Sequence, residues 1–260
     1  NPSVGGVFGL PHFVDESDAP LAPELNPMRD LFVKTNMSRQ QWLRRFFCIS
    51  NALCHPTVLV RRSCYEELGN YDARLAQLPD FDLWIRIARR HELHIIDKKL
   101  TAFRILSGER NASGGNMIGK VRHDFELQYV LQHYSDLDDD ELRAIFPDEF
   151  GWLGAKTGKT QPRILLGLLA LEIGKSAWAR SSYIAYGLKL LYDEVGKPGS
   201  EMSNAEFMRL TGTNDAFNLN ADRDGQAARV ELENIRKSRS WRLTAPLRNI
   251  KSFRKLSFAN

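Results

Sequence analysis

The chain has 260 residues, 43% hydrophobic and 26% charged, with a formal net charge of +4. That composition supports a packed core and excludes a disordered or collagen-like chain. The absence of any run of eighteen apolar residues excludes a membrane-spanning helix. Three cysteines (Cys48, Cys54 and Cys64) without CxxC spacing read as buried reduced thiols in a cytosolic compartment. The positive charge is unevenly spread. From Arg229 to Asn260 nine basic residues stand against two acids, so the rest of the chain is mildly acidic. The high pI therefore belongs to one tail and gives no reason to expect nucleic-acid binding by the fold.

The first residues, from Asn1 to Gly9, lack a basic n-region and an initiator Met, so they read as a start inside a longer protein with no signal peptide. Val4 to Val14 reads as short strands kinked near Gly9 and Pro11, and Asp15 to Pro27 as loop. Ser38 caps a helix to Ile49, with Trp42, Leu43, Phe46 and Phe47 at helical spacing. Thr57 to Arg61, a β-branched run after Pro56, reads as a strand, and Ser63 to Leu68 as a short helix stopped by Gly69. After the helix that starts near Asp80 come two short strands, His94 to Asp97 and Leu100 to Arg104. The alternation of strands and helices predicts an α/β layer.

Ile105 to Gly119 reads as a loop, and beyond it the pattern turns helical. Lys120 to Tyr134 is one helix. Arg163 to Gly174 and Trp178 to Tyr192 form an antiparallel pair with small residues placed for close approach, and Met202 to Leu210 is a further helix. The acid run Asp136 to Glu141 reads as a solvated face and helix start. Gln226 to Ser238 is a charged helix leading into the basic tail. Three regions follow: 1–115 as an α/β part, 116–212 as a helical appendage, and 213–260 as linker helix and tail.

The most informative stretch is Leu78-Pro79-Asp80-Phe81-Asp82-Leu83-Trp84-Ile85-Arg86. It sets two carboxylates two residues apart at the start of an amphipathic helix, where free N–H groups and the positive dipole end favour an acid. Asp80 is either a plain cap or a carboxylate placed to take a proton. Asp82 either assists it or pairs with Arg86 four residues on. Trp84 is either core or a platform for a sugar ring. His55, beside Pro56, is either a structural histidine or a cleft-facing contact. Arg104 and Arg110 are either exposed or partners for phosphate oxygens.

Five blocks occur in one order: Asn51 to Arg62, Glu67-Leu68-Gly69-Asn70-Tyr71-Asp72, the Asp80 stretch, Leu100-Thr101-Ala102-Phe103-Arg104, and Asn111-Ala112-Ser113. Together they resemble the acceptor-side half of a family 2 glycosyltransferase of GT-A fold, over about residues 1 to 115. The resemblance implies a Rossmann-like mixed sheet, with Asp80 as general base of inverting transfer. His55, Trp84, Arg86 and Arg104 would contact acceptor or diphosphate. It also implies a nucleotide-diphosphate sugar donor and a glycan acceptor in bacterial surface-polysaccharide synthesis. A divalent cation (Mg or Mn) is expected only through an Asp-x-Asp motif that this sequence lacks, so no metal ligand is assigned here and the chain alone is expected to be inactive. Pro79 stands where many relatives have Glu. Val4 to Phe8 would then be an open strand edge prone to self-association.

Ile235 to Arg248 is similar to a connector between modules of large polysaccharide glycosyltransferases. The basic amphipathic stretch after Pro246 (Leu247, Ile250, Phe253, Leu256) suits packing on a neighbouring module of the same polypeptide or contact with an anionic bilayer. The expected location is cytoplasmic, peripheral at the inner membrane. The alternative reading is a non-catalytic glycan-binding or scaffolding module derived from a degenerate glycosyltransferase.

Overall fold

A computed structural model of the chain describes residues 1–22, 31–32, 35–106, 116–176, 179–219 and 230–235. A small mixed sheet holds the first part together. Strand β1 (Val4–Val14) lies at its centre, with β2 (Leu59–Val60) antiparallel on one side and β3 (Glu92–Arg104) parallel on the other. The open edge expected at Val4 to Phe8 is therefore not there: both sides of that segment are paired, and β2 and β3 carry the edges.

The two strands expected after the Asp80 helix are one. Register jumps from Phe8 opposite Ile95 to Leu10 opposite Lys99, so β3 bulges at its polar Asp97 and Lys98 and then resumes. The run after Pro56 shortens instead. His55–Thr57 is a turn of 3-10 helix, and the Thr57 hydroxyl both accepts from Gly9 N–H (3.0 Å) and approaches Gly9 O (3.1 Å). A side chain there replaces the ladder that a strand would have made.

Helix α1 (Arg39–Cys48) starts at a capping box in which the Ser38 hydroxyl accepts from Gln41 N–H while Gln41 accepts from Ser38 N–H. Helix α2 (Arg62–Leu68) ends at Gly69, whose φ of 83° lies where side chains are strained. Pro79 opens α3 (Pro79–Ala88), a position that needs no N–H donor. Phe81, Leu83, Trp84, Ile85, Ile87 and Ala88 are all buried on it.

The helical part continues with α4 (Met117–Gln132), α5 (Asp139–Ile145) and α6 (Pro147–Thr157). Then come α7 (Pro162–Gly174), α8 (Arg180–Val195) and α9 (Asn204–Thr213). Sequence periodicity did not indicate α6. The acid run starts α5 as expected, with Asp138 and Glu141 forming a capping box. One hydrophobic core runs from Phe8 on β1 and Trp84 on α3 through Phe47 on α1 to Tyr134 and Tyr186. The boundary drawn at 115 is thus a change of secondary structure inside one compact unit, Asn1–Ala216. In the second unit, Phe217–Asn260, residues 230–235 are helical. The tail beyond 235, Arg110 and the Asn111-Ala112-Ser113 block lie outside the described residues. No helix among the described residues is long and apolar enough to cross a membrane.

Helices α7 and α8 pack almost backbone to backbone. A Cβ added at Gly187 would meet Gly167 O at 2.8 Å and Ala170 Cβ at 3.1 Å. Gly187→Ala is expected to destabilise the protein by about 1–3 kcal/mol in urea unfolding, since neither backbone can yield. Gly151→Ala on α6, where an added Cβ meets nothing within 4 Å, should be neutral or stabilising by up to about 1 kcal/mol.

Candidate active site

Asp80 occupies the second position of α3. Its Oδ1 accepts from Phe81 N–H at 2.8 Å, which leaves Oδ2 turned toward Asn51 Nδ2 (3.3 Å) and His55 Nδ1 (3.8 Å). The side chain is 19% exposed. It lines a cavity of about 520 Å³, within the size range of small-molecule sites. Ser50, Asn51 and Gln77 stand on the polar side of that cavity. Leu127 from α4, Ile173 from α7 and Tyr183 from α8 supply apolar wall. The helical part therefore closes the site as well as the core.

Burial raises the Asp80 carboxyl above the ordinary carboxylate range, and Phe81 N–H, His55 and Asn51 offset only part of that rise. A carboxylate with raised proton affinity on a cavity wall is chemically suited to accept a proton from a bound hydroxyl. Burial also pushes His123, on the same cavity, down to about 4, so it stays neutral near pH 7. Desolvation raises the Cys48 thiol to about 12 and the Cys54 thiol to about 11, so neither is a nucleophile.

Asp82 has a different environment, although it is only two residues away. The two lie about 200° apart around the helix. Its Oδ1 meets His133 Nε2 at 2.6 Å and its Oδ2 meets Arg86 Nη2 at 2.7 Å. The Arg86 guanidinium also donates to Leu68 O (2.7 Å), Gly69 O (3.2 Å) and Asn70 O (2.9 Å). Asp82 and Arg86 thus tie α3 to the end of α2, with both oxygens of Asp82 and most Arg86 donors committed. Of the two roles open for Asp82, the pairing with Arg86 is the one formed, and Arg86 faces protein carbonyls where a ligand contact was expected.

Trp84 is fully buried, at 0% exposure, with its ring edge-on to Phe8 at 4.9 Å. No sugar can stack on it. It serves instead as the floor under His55 (5.8 Å between centroids) and Tyr71 (6.4 Å). His55 is half exposed and its Nε2 lies 3.2 Å from Tyr71 Oη. Arg104 ends β3, pairs with Asp18, and is not among the residues lining the Asp80 cavity. Among the described residues no three His, Cys, Asp or Glu side chains converge to hold a metal ion.

The residue that sequence reading passed over is Glu126. It is 4% exposed in mid-α4, and its carboxylate accepts from the N–H groups of Ala76, Gln77 and Leu78, each at 2.8 Å. Those three residues lead directly into Pro79 and Asp80. An acid among the apolar positions of a predicted helix, aligned with Leu127 and Val130, was the available signal. Comparison with known proteins finds no matching family model, no matching curated protein and no matching solved structure.

Glu126→Ala would leave three N–H groups without their acceptor, with an expected loss of roughly 2–4 kcal/mol in chemical denaturation. Glu126→Gln, which keeps one acceptor oxygen, should lose less. Asp80→Asn should do the opposite. Because the folded-state value of Asp80 lies above 3.8, its ionisation opposes folding. Wild-type stability relative to Asp80→Asn should be highest below pH 3.8 and fall as pH rises through the folded-state value. Melting temperatures of both proteins across that window measure the difference, and a constant offset would contradict it.

Proposed function

We propose that the chain is the acceptor-side part of an inverting glycosyltransferase of the family 2, GT-A type. It would move a sugar from a nucleotide-diphosphate donor to a glycan hydroxyl in surface-polysaccharide synthesis. The observation that carries the reading is the Asp80 carboxylate, presented by the start of a rigid helix to a cavity of about 520 Å³ and kept basic by burial. The ordered sequence blocks around it support the same assignment.

In this reaction the acceptor oxygen attacks the anomeric carbon as the bond from that carbon to the diphosphate breaks. The hydroxyl proton passes to an oxygen of Asp80, and the nucleoside diphosphate leaves with the bonding electrons. Asp80 is the general base. Asn51 holds Oδ2 in place, and Glu126 holds the loop that sets the start of α3. Among the described residues no cluster is fit to hold a divalent cation. The same reading implies a cytoplasmic protein, peripheral at the inner membrane, whose basic tail packs on a neighbouring module of the same polypeptide or meets anionic headgroups.

In full-length protein given a panel of nucleoside-diphosphate sugars and a glycan extract, acceptor-dependent release of nucleoside diphosphate is the readout. Asp80→Asn is expected to lower it by about 10²- to 10⁴-fold while the protein stays folded. Transfer that survives this substitution would overturn the assignment of the base. Binding of glycan with no transfer by any variant would favour the non-catalytic module instead.

A further inference from the structure

Both nitrogens of His55 face polar groups from different elements, one of them within hydrogen-bond distance. Nδ1 points at Asp80 Oδ2 across 3.8 Å, and Nε2 lies 3.2 Å from Tyr71 Oη in the segment after α2. Below the ring lies the buried Trp84 indole, so the imidazole cannot sink into the core. Pro56 follows it directly in the turn of 3-10 helix. A ring needed only for packing would not require both nitrogens oriented, nor a place at half exposure beside a buried carboxylate. The titratable groups facing it are Asp80 from α3 and Tyr71 after α2, with Tyr65 of α2 behind Tyr71 at 6.3 Å between centroids.

The geometry points to His55 as the positioning residue of Asp80: braced by Tyr71, its ring faces Oδ2 and favours the ionised carboxylate until a hydroxyl proton arrives. This rests on the transferase reading for its purpose but not for its test. The arrangement works through charge. His55 beside Oδ2 favours the ionised form of Asp80, against the burial that disfavours it. Tyr71 supplies no charge to this. Burial pushes its phenol well above the ordinary tyrosine range, so it remains a neutral brace.

The test is carboxyl carbon NMR of Asp80 against pH in the whole chain, compared with His55→Gln and Tyr71→Phe. His55→Gln should move the Asp80 midpoint upward by roughly one pH unit. Tyr71→Phe, which leaves the imidazole but frees it, should move the midpoint the same way by less. An Asp80 midpoint unchanged in His55→Gln, with the fold intact by circular dichroism, would overturn the proposal. If the glutamine variant unfolds, an unmoved midpoint in Tyr71→Phe overturns it equally. Where transfer is measured, its acid limb should shift upward with the NMR midpoint in His55→Gln, and an unmoved limb overturns the positioning role. Midpoints that shift as expected without transfer by any variant would sink the transferase reading alone.

Discussion

Three backbone N–H groups, those of Ala76, Gln77 and Leu78, converge on the buried carboxylate of Glu126, and the geometry of the site follows from that clamp. A buried acid is tolerable only when its lone pairs are satisfied. Here a loop at the mouth of α3 satisfies them, and a loop with these donors unpaired would be equally unstable. The clamp crosses from α4 to the segment ahead of Asp80, almost fifty residues away in sequence. It therefore couples the helical part to the position of a carboxylate in the α/β part. Tyr134 and Tyr183 strengthen the same junction by donating to Leu43 O (2.8 Å) and Phe47 O (2.5 Å) on α1.

Two aspartates on one helix show how strongly surroundings decide chemistry. Asp82 meets Arg86 and His133, which together hold its carboxyl below the ordinary range despite burial. It meets Arg86 on one oxygen and His133 on the other and has none to spare. Asp80 meets one amide, one half-exposed imidazole and a cavity, and burial raises its proton affinity. One acid is tied on both oxygens, and the other lines the cavity with its proton affinity raised. Pushing neighbouring carboxyls apart in this way is how a fold assigns separate roles to identical groups.

Much of the local structure was legible from residues. Ser38 and the acid run Asp136 to Glu141 announced helix starts, Gly69 a helix stop, and Pro79 a break before the Asp80 helix, because capping and φ restriction act within a few residues. The small residues of α7 and α8 foretold their close approach. Where sequence reading failed, the reason was longer in range. One bulged strand looked like two because Asp97 and Lys98 interrupt the apolar pattern without breaking the pairing. A strand after Pro56 shrank because the Thr57 side chain, not the backbone, bonds to Gly9. The start of α6 at Pro147 went unread because α5 ends only two residues earlier.

The candidate site divides along the same line. Sequence alone determined that an acid would stand at the start of α3, since Pro79, the free N–H groups and the helix dipole all select for one there. It also determined that Leu83 and Ile87 would be buried, since their spacing gives α3 an apolar face. Only the tertiary structure decided that Trp84 is floor and not platform, that Arg86 is spent on three carbonyls, and that His55 and Tyr71 stand beside Asp80. Those outcomes depend on elements separated by tens of residues meeting around one core, and periodicity and capping, which extend over a helical turn or two, carry no information about which distant partners will meet.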